Sequence, residues 1–184
     1  MMFMPLAAGG VLVRRGADLT GAFEQHAPYL FTPYAKQVAD VGPFTIACSQ
    51  RFDALKIWLV WQTYGPELFA ALADSVCATT QAAYDYCQAS KLLEPVHRPQ
   101  ANIFCFRLRA GRNGKRDAAA DDRRVWDLKE AVNASGRAYI SSTVLDGARC
   151  LRLVVMNPRS RPEHALRVLR TVERTAKEHL SLSL

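Results

Sequence analysis

The stretch that decides the fold is Ala138-Tyr139-Ile140-Ser141-Ser142-Thr143, followed after Asp146-Gly147 by Cys150-Leu151-Arg152-Leu153-Val154-Val155-Met156. Both runs are rich in β-branched and apolar residues, and Asp-Gly is the dipeptide that most readily supplies two consecutive left-handed residues. The pair is therefore expected to be an antiparallel hairpin. Upstream, Asn102-Ile103-Phe104-Cys105-Phe106 reads as a third strand, with a helix over Val125 to Ala134 between it and the hairpin. Downstream, Ser160-Arg161-Pro162-Glu163 has the spacing of a capping box with proline in the first turn. The helix it opens presents Ala165, Leu169, Val172, Ala176 and Leu180 on one face. A small antiparallel sheet covered by helices follows, an α+β unit over residues 91–184.

Before that unit, Asp53 to Ala89 has helical spacing in Leu55, Trp58, Leu59, Leu68, Leu72, Val76 and Ala83, with a bend expected at Gly65-Pro66. Such a helix is long enough to join two domains, and residues 58–90 are assigned to the connection. Residues 17 to 47 carry Pro28, Pro33, Pro43, Gly21 and Gly42 among aromatic residues, the composition of a long irregular segment. Val11-Leu12-Val13 reads as a strand from the interior of a larger sheet, so the polypeptide is expected to lack its beginning.

Composition narrows the class. The chain has 184 residues, 49% of them hydrophobic and 22% charged, which is globular rather than disordered. Cys48, Cys77, Cys87, Cys105 and Cys150 are odd in number and form neither a CxxC pair nor a zinc-type cluster, so a reduced, cytoplasmic setting is expected. The apolar start Met1 to Leu6 has no preceding basic region, and no stretch approaches the ~18 apolar residues of a membrane span. The net charge of +7 brings nucleic acid into consideration. Much of that charge falls between Arg107 and Arg124, without interleaved aromatics to stack a base, and reads as a solvated loop; no nucleic acid and no membrane are expected as partners. The four histidines, His26, His97, His164 and His179, are scattered, and read as surface or structural residues.

Three phrases occur in a fixed order: Asp18-Leu19-Thr20-Gly21-Ala22-Phe23; Pro28-Tyr29-Leu30; and Cys48-Ser49-Gln50-Arg51-Phe52-Asp53-Ala54-Leu55-Lys56-Ile57-Trp58, with Tyr64-Gly65 beyond. Leu151 to Arg159 adds a C-terminal phrase. In order and spacing these resemble the pyridoxal-phosphate-dependent amino-acid decarboxylases of group II, which include the aromatic-amino-acid, glutamate and diaminobutyrate decarboxylases. The resemblance implies an α/β chain of fold-type I, a fragment in which residues 1–57 end the large cofactor-binding domain and include a mobile loop. It also implies pyridoxal 5'-phosphate as cofactor, an amino-acid substrate, and a homodimer or a missing N-terminal half as partner.

Residue roles follow from the same resemblance. Tyr29 corresponds to the loop tyrosine thought to protonate the substrate once carbon dioxide has left, with phenylalanine there in aldehyde-forming relatives. The bland alternative is a tyrosine packed on the surface. Ser49 falls in the segment that reaches the neighbouring subunit's cofactor phosphate, and Gln50 and Arg51 in its substrate-binding part. Several relatives have arginine at the position of Gln50, which can bind a substrate carboxylate; glutamine cannot supply that charge, which disfavours a glutamate-like substrate. Arg51 has an equal structural reading, pairing with Asp53. The family's cofactor lysine would lie immediately before Met1, and Lys56, the only tempting substitute, reads as structural or as a salt-bridge partner. The implied activity is a carboxy-lyase reaction giving an amine, with this chain inactive alone. The alternative is a non-catalytic fragment that only dimerises with a complete homologue.

Overall fold

The computed structural model describes residues 10–23, 51–109 and 118–179. In chain order the elements are α1 Gly16–Phe23, α2 Ala54–Ala89, β1 Leu93–Pro95, β2 Ile103–Leu108, α3 Ala118–Ala134, β3 Ser141–Leu145, β4 Ala148–Val154 and α4 Pro162–His179. A division at Gly65 separates two compact units, described residues 10–23 and 51–64 in one and 65–179 in the other.

The division coincides with the expected bend in α2. Gly65 has φ 73° and ψ 176°, and Pro66 follows. Proline has no N–H to continue the helical ladder and disfavours α geometry in the residue before it. Glycine takes the left-handed conformation that ends the first helical stretch, and Pro66 starts the second. The burial pattern departs from expectation across that break. Val76 and Ala83 are buried together with Phe69, Thr79, Thr80 and Cys87. Leu55, Trp58 and Leu59 are exposed, as are Phe52, Trp61 and Tyr64.

In the unit 65–179 the sheet order is β1-β2-β4-β3 and every pairing is antiparallel. The hairpin forms as read: Leu145 pairs with Ala148 across Asp146 (φ 50°) and Gly147 (φ 76°), the two left-handed residues of a type I′ turn. Alternation along the strands sends Phe104, Phe106, Leu151 and Leu93 into a core with Val125, Leu128 and Val132 of α3 and Leu169, Val172 and Ala176 of α4. The Phe104 and Phe106 rings stack with centroids 5.5 Å apart, and Tyr84 of α2 meets Phe104 edge-on at 5.9 Å.

Polar anchors fix the helices around this core. Thr79 Oγ1 donates to Ser160 O (3.1 Å) and Ser75 Oγ to Pro158 O (3.0 Å), tying α2 to the turn before α4. Tyr86 and Ser90 both donate to the Glu173 carboxylate of α4. Burial and that carboxylate push the Tyr86 phenol up to about 12. At the end of α3, Asn133 donates to Ile140 O and accepts from Ile140 N at 3.0 and 2.8 Å, which sets the entry into β3.

Several sequence expectations change. Residues 16–23 are helical, inside the segment read as irregular, while residues 24–50 lie outside the described residues. Val11-Leu12-Val13 is exposed and is not a strand; the described residues of its unit offer it no strand to pair with. β1 was not expected, because three residues ending in proline carry almost no periodic signal. Helix α3 begins seven residues earlier than expected, so Arg123 and Arg124 lie on a helix rather than in a solvated loop. Arg107 belongs to β2 and pairs with Glu94 at 2.8 Å, and Arg109 donates to the carbonyls of Ser90 and Gln88. Arg112, Lys115, Arg116 and Leu180 lie outside the described residues. The cap of α4 is shifted by one residue: Arg161 precedes the first helical residue, and its N–H donates to His164 Nδ1 (3.0 Å), the role expected of Glu163.

Truncation of the full chain tests whether stability resides in the core beneath α4 rather than in the exposed residues at the start of α2. Leu169→Ala, in the core, is expected to lower unfolding free energy by ~2–5 kcal/mol in chemical denaturation. Leu59→Ala is expected to change it by less than ~0.5 kcal/mol. Comparable losses at both positions would contradict the burial pattern.

Candidate functional site

Four residues were expected to carry function. Tyr29, Ser49 and Gln50 lie outside the described residues, and Arg51 stands at the edge of the described segment, just before α2. Asp53 occupies the position preceding the first helical residue, where an acidic side chain faces the helix's unpaired N–H groups and its positive dipole end. Lys56 Nζ lies 2.8 Å from Asp53 Oδ1, and Arg51 Nε lies 3.6 Å from Asp53 Oδ2. Arg51 is thus drawn toward Asp53 as the structural reading anticipated, although 79% of its side chain is exposed and the contact is long. The hydrogen bond from Lys56 holds the Asp53 carboxyl below its ordinary range against the opposing effect of desolvation, and the charges of Arg51 and Lys56 add to the lowering.

This geometry bears on whether Lys56 could attach the cofactor. A lysine that forms a Schiff base must present a neutral amine. The Lys56 ammonium is engaged by the Asp53 carboxylate at 2.8 Å, as an ion pair rather than an open amine. Lys56 does not fit the role. Beside this cluster, Phe52, Leu55, Trp58, Leu59, Trp61 and Tyr64 give residues 51–64 a strongly apolar surface.

The unit 65–179 has its own concave feature. A groove of about 610 Å³ lies on the sheet face opposite the helices, lined in part by His97, Arg98, Cys105, Thr143, Asp146 and Arg152. His97 is held there by two bonds: Nδ1 meets Arg98 O at 3.0 Å, and Nε2 accepts from the Cys105 N–H at 3.2 Å. Sequence reasoning treated His97 as one of four scattered histidines. The signal that could have found it is the alternation of β2, which puts Cys105 on the face opposite Phe104 and Phe106. Among the described residues no cluster of three metal-ligating side chains occurs, and no helix is long and apolar enough to cross a membrane.

A kinked helix leading into a helix-covered antiparallel sheet is an architecture found in fold-type I pyridoxal-phosphate enzymes, and comparison with solved structures agrees. The structure of Oryza sativa TDC with PLP and tryptamine superposes with a TM-score of 0.69 at 26% identity, over 77% of this chain and 30% of that one. The sequence profile of the pyridoxal-dependent decarboxylase conserved domain matches residues 1–109, and the chain belongs to that family. Tryptophan decarboxylase 1 of Oryza sativa subsp. japonica is 27% identical over 172 residues, covering 92% of this chain and 34% of that protein. L-2,4-diaminobutyrate decarboxylase of Rhizobium meliloti is 29% identical over 181 residues, covering 97% of this chain and 35% of that protein. The chain thus spans about a third of the length of these curated relatives.

The ion pair at the start of α2 has a pH consequence with a definite sign. A depressed carboxylate contributes stability that is present above its unfolded value and is lost as pH falls through the folded one. NMR titration of Asp53 should give a midpoint below the ordinary 3.8, and Lys56→Gln should return it toward that value. A midpoint unmoved by Lys56→Gln would show that the pair does not hold the carboxylate.

Proposed function

We propose that this chain is part of a pyridoxal-phosphate-dependent decarboxylase that converts an L-amino acid to its amine and carbon dioxide. The observation that carries the reading is the family match through residue 109, which takes in the phrases containing Tyr29 and Ser49-Gln50-Arg51. Pyridoxal phosphate, when bound, supplies the electron sink that lets the bond to the α-carboxylate break. In the domain reading, residues 1–57 belong to the end of the cofactor-binding domain, residues 58–90 connect, and residues 91–184 form the small domain.

Within this reading Tyr29 Oη carries the proton that replaces the carboxylate at the substrate α-carbon. A tyrosine suits that position because its hydroxyl is both donor and acceptor, and because a closing loop excludes water that would otherwise compete. Ser49 reaches the cofactor phosphate of a neighbouring subunit by hydroxyl donation. Gln50 offers an amide to the substrate, a neutral group that favours an aromatic or otherwise uncharged side chain over a second carboxylate. Arg51 sits beside it, free to leave its long contact with Asp53 for a substrate carboxylate at small cost, since so exposed a pair contributes little. The Schiff-base lysine lies outside this chain, which by itself is inactive. A cytoplasmic location and a homodimer, or a complex with the N-terminal half, complete the proposal.

Two measurements test it. Given pyridoxal phosphate, the purified chain should show no visible absorbance of lysine-bound cofactor; such a band would place the attachment site within these residues. In the complete enzyme, Tyr29→Phe should reduce amine formation by ~100-fold with aldehyde appearing in its place. Undiminished amine would remove Tyr29 from the mechanism, and dimerisation without any decarboxylation by the complete assembly would leave a non-catalytic subunit as the correct reading.

A further inference from the structure

The sheet face that carries the groove also brings two thiols together, and nothing in the decarboxylase reading uses them. Cys105 of β2 pairs across the ladder with Arg152 of β4, and Cys150 stands two residues before Arg152 on the same face. The hydrogen bond from Val155 N to Asn102 O (2.9 Å) sets the phase of the ladder, placing Cys105 at a non-hydrogen-bonded pair, where side chains approach most closely. The right-handed twist of the strands draws one diagonal of such a site together. Cys150 lies on a diagonal of this site, on the adjacent strand and on the same face as Cys105.

We propose that Cys105 and Cys150 form a hydroperoxide-sensitive dithiol, in which Cys105 attacks the peroxide and Cys150 closes a reversible cross-strand disulfide. The balance is complete. Cys105 sulfur bonds to one peroxide oxygen, the O–O bond breaks, and the departing oxygen leaves as water or an alcohol with the proton that Cys105 gave up. Cys150 sulfur then attacks the Cys105 sulfenic acid, the S–O bond breaks, and the hydroxide leaves as water with the Cys150 proton. One hydroperoxide is reduced by two electrons and two thiols become one disulfide.

Access divides the roles: Cys105 lines the groove and Cys150 does not. The neighbouring Cys150 thiol moves the Cys105 thiol down against the opposing effect of burial, and His97 and Arg152 add to the lowering. The Cys150 thiol is moved up by the neighbouring Cys105 thiol and by burial, and it donates to Thr143 O at 3.7 Å. Charged and titratable groups on this face include Glu94 with Arg107, Arg152, and His97, Arg98 and Asp146 of the groove lining. Only 3% of Cys105 and 1% of Cys150 is exposed, but Cys105 lines the groove, through which a small peroxide can approach. Cys87 lacks this environment: it sits in the apolar core, where burial pushes its thiol up to about 12. A diagonal disulfide requires the strands to adjust, which makes it readily reduced and suits a reversible switch rather than a permanent brace.

The test uses the full chain treated with one to two equivalents of hydrogen peroxide at neutral pH, alkylated, digested without reductant and mapped by mass spectrometry. The expected product is a Cys105–Cys150 linked peptide, reversed by dithiothreitol, with exposed Cys77 still alkylated. The same treatment in guanidinium should scatter oxidation over all the cysteines. Cys150→Ser should leave a sulfenic acid on Cys105 that dimedone traps, and Cys105→Ser should slow oxidation of Cys150 by about tenfold or more. A native pattern matching the denatured one, oxidation falling first on Cys77, or full-rate oxidation of Cys150 in Cys105→Ser would overturn the proposal. None of these readouts depends on decarboxylation.

Discussion

Phe104 and Phe106, two residues apart on β2 and stacked on one another, are the contact around which the unit 65–179 is arranged. Their rings occupy the helix-covered face of the sheet, and α2, α3 and α4 each bring an apolar stripe onto or around them. A two-residue period then dictates what the opposite face must hold. Cys105 and Arg107 have no choice of side once the phenylalanines are buried, and antiparallel pairing carries Cys150 and Arg152 to the same face through Leu151. A one-residue slip of β2 would exchange aromatic core for thiol and guanidinium, so register is held by the full cost of that exchange.

The polar anchors act where apolar packing is indifferent to direction. Burial alone would let α4 slide along its axis. Thr79 on Ser160 O and the paired donation of Tyr86 and Ser90 to Glu173 fix it at both ends against α2. Asn133 does the same for the approach of β3, since only one spacing lets a single side-chain amide satisfy both polar groups of Ile140. Each of these bonds contributes about 1 kcal/mol, little beside the core, but each removes an alternative arrangement.

What could be read from the sequence follows from which physical signals are local. The hairpin was legible because Asp146-Gly147 specifies its turn by backbone conformation alone, and α4 because its apolar face repeats over several turns. The bend at Gly65-Pro66 was legible for the same local reason. Helical spacing in α2 did not reveal which residues are buried, because Leu55, Trp58 and Leu59 continue the period of a buried stripe while belonging to the other unit. β1 and the first turns of α3 were missed, since their positions are set by pairing with β2 and by Asp122 accepting from Arg149 N, contacts between residues far apart in sequence. Of the candidate site, the sequence order of phrases carried the family and the Arg51–Asp53–Lys56 charges were within one helical turn of each other. The thiol pair required the register of β2 on β4, which no single segment encodes.

The two chemistries differ in what they need from the fold. In the reading proposed above, proton delivery by Tyr29 would depend on closure of its loop and on a cofactor attached to other residues of the complete enzyme. The dithiol depends on two paired strands, where Cys105 lies between buried Phe104 and Phe106 and Cys150 beside buried Leu151. Oxidation at that site would pull on β2 and β4 directly beneath the phenylalanine stack, and the sheet would register it as strain in its best-packed layer. A small α+β unit built this way can therefore sense an oxidant without giving up its core, because the switch and the core share strands but occupy opposite faces.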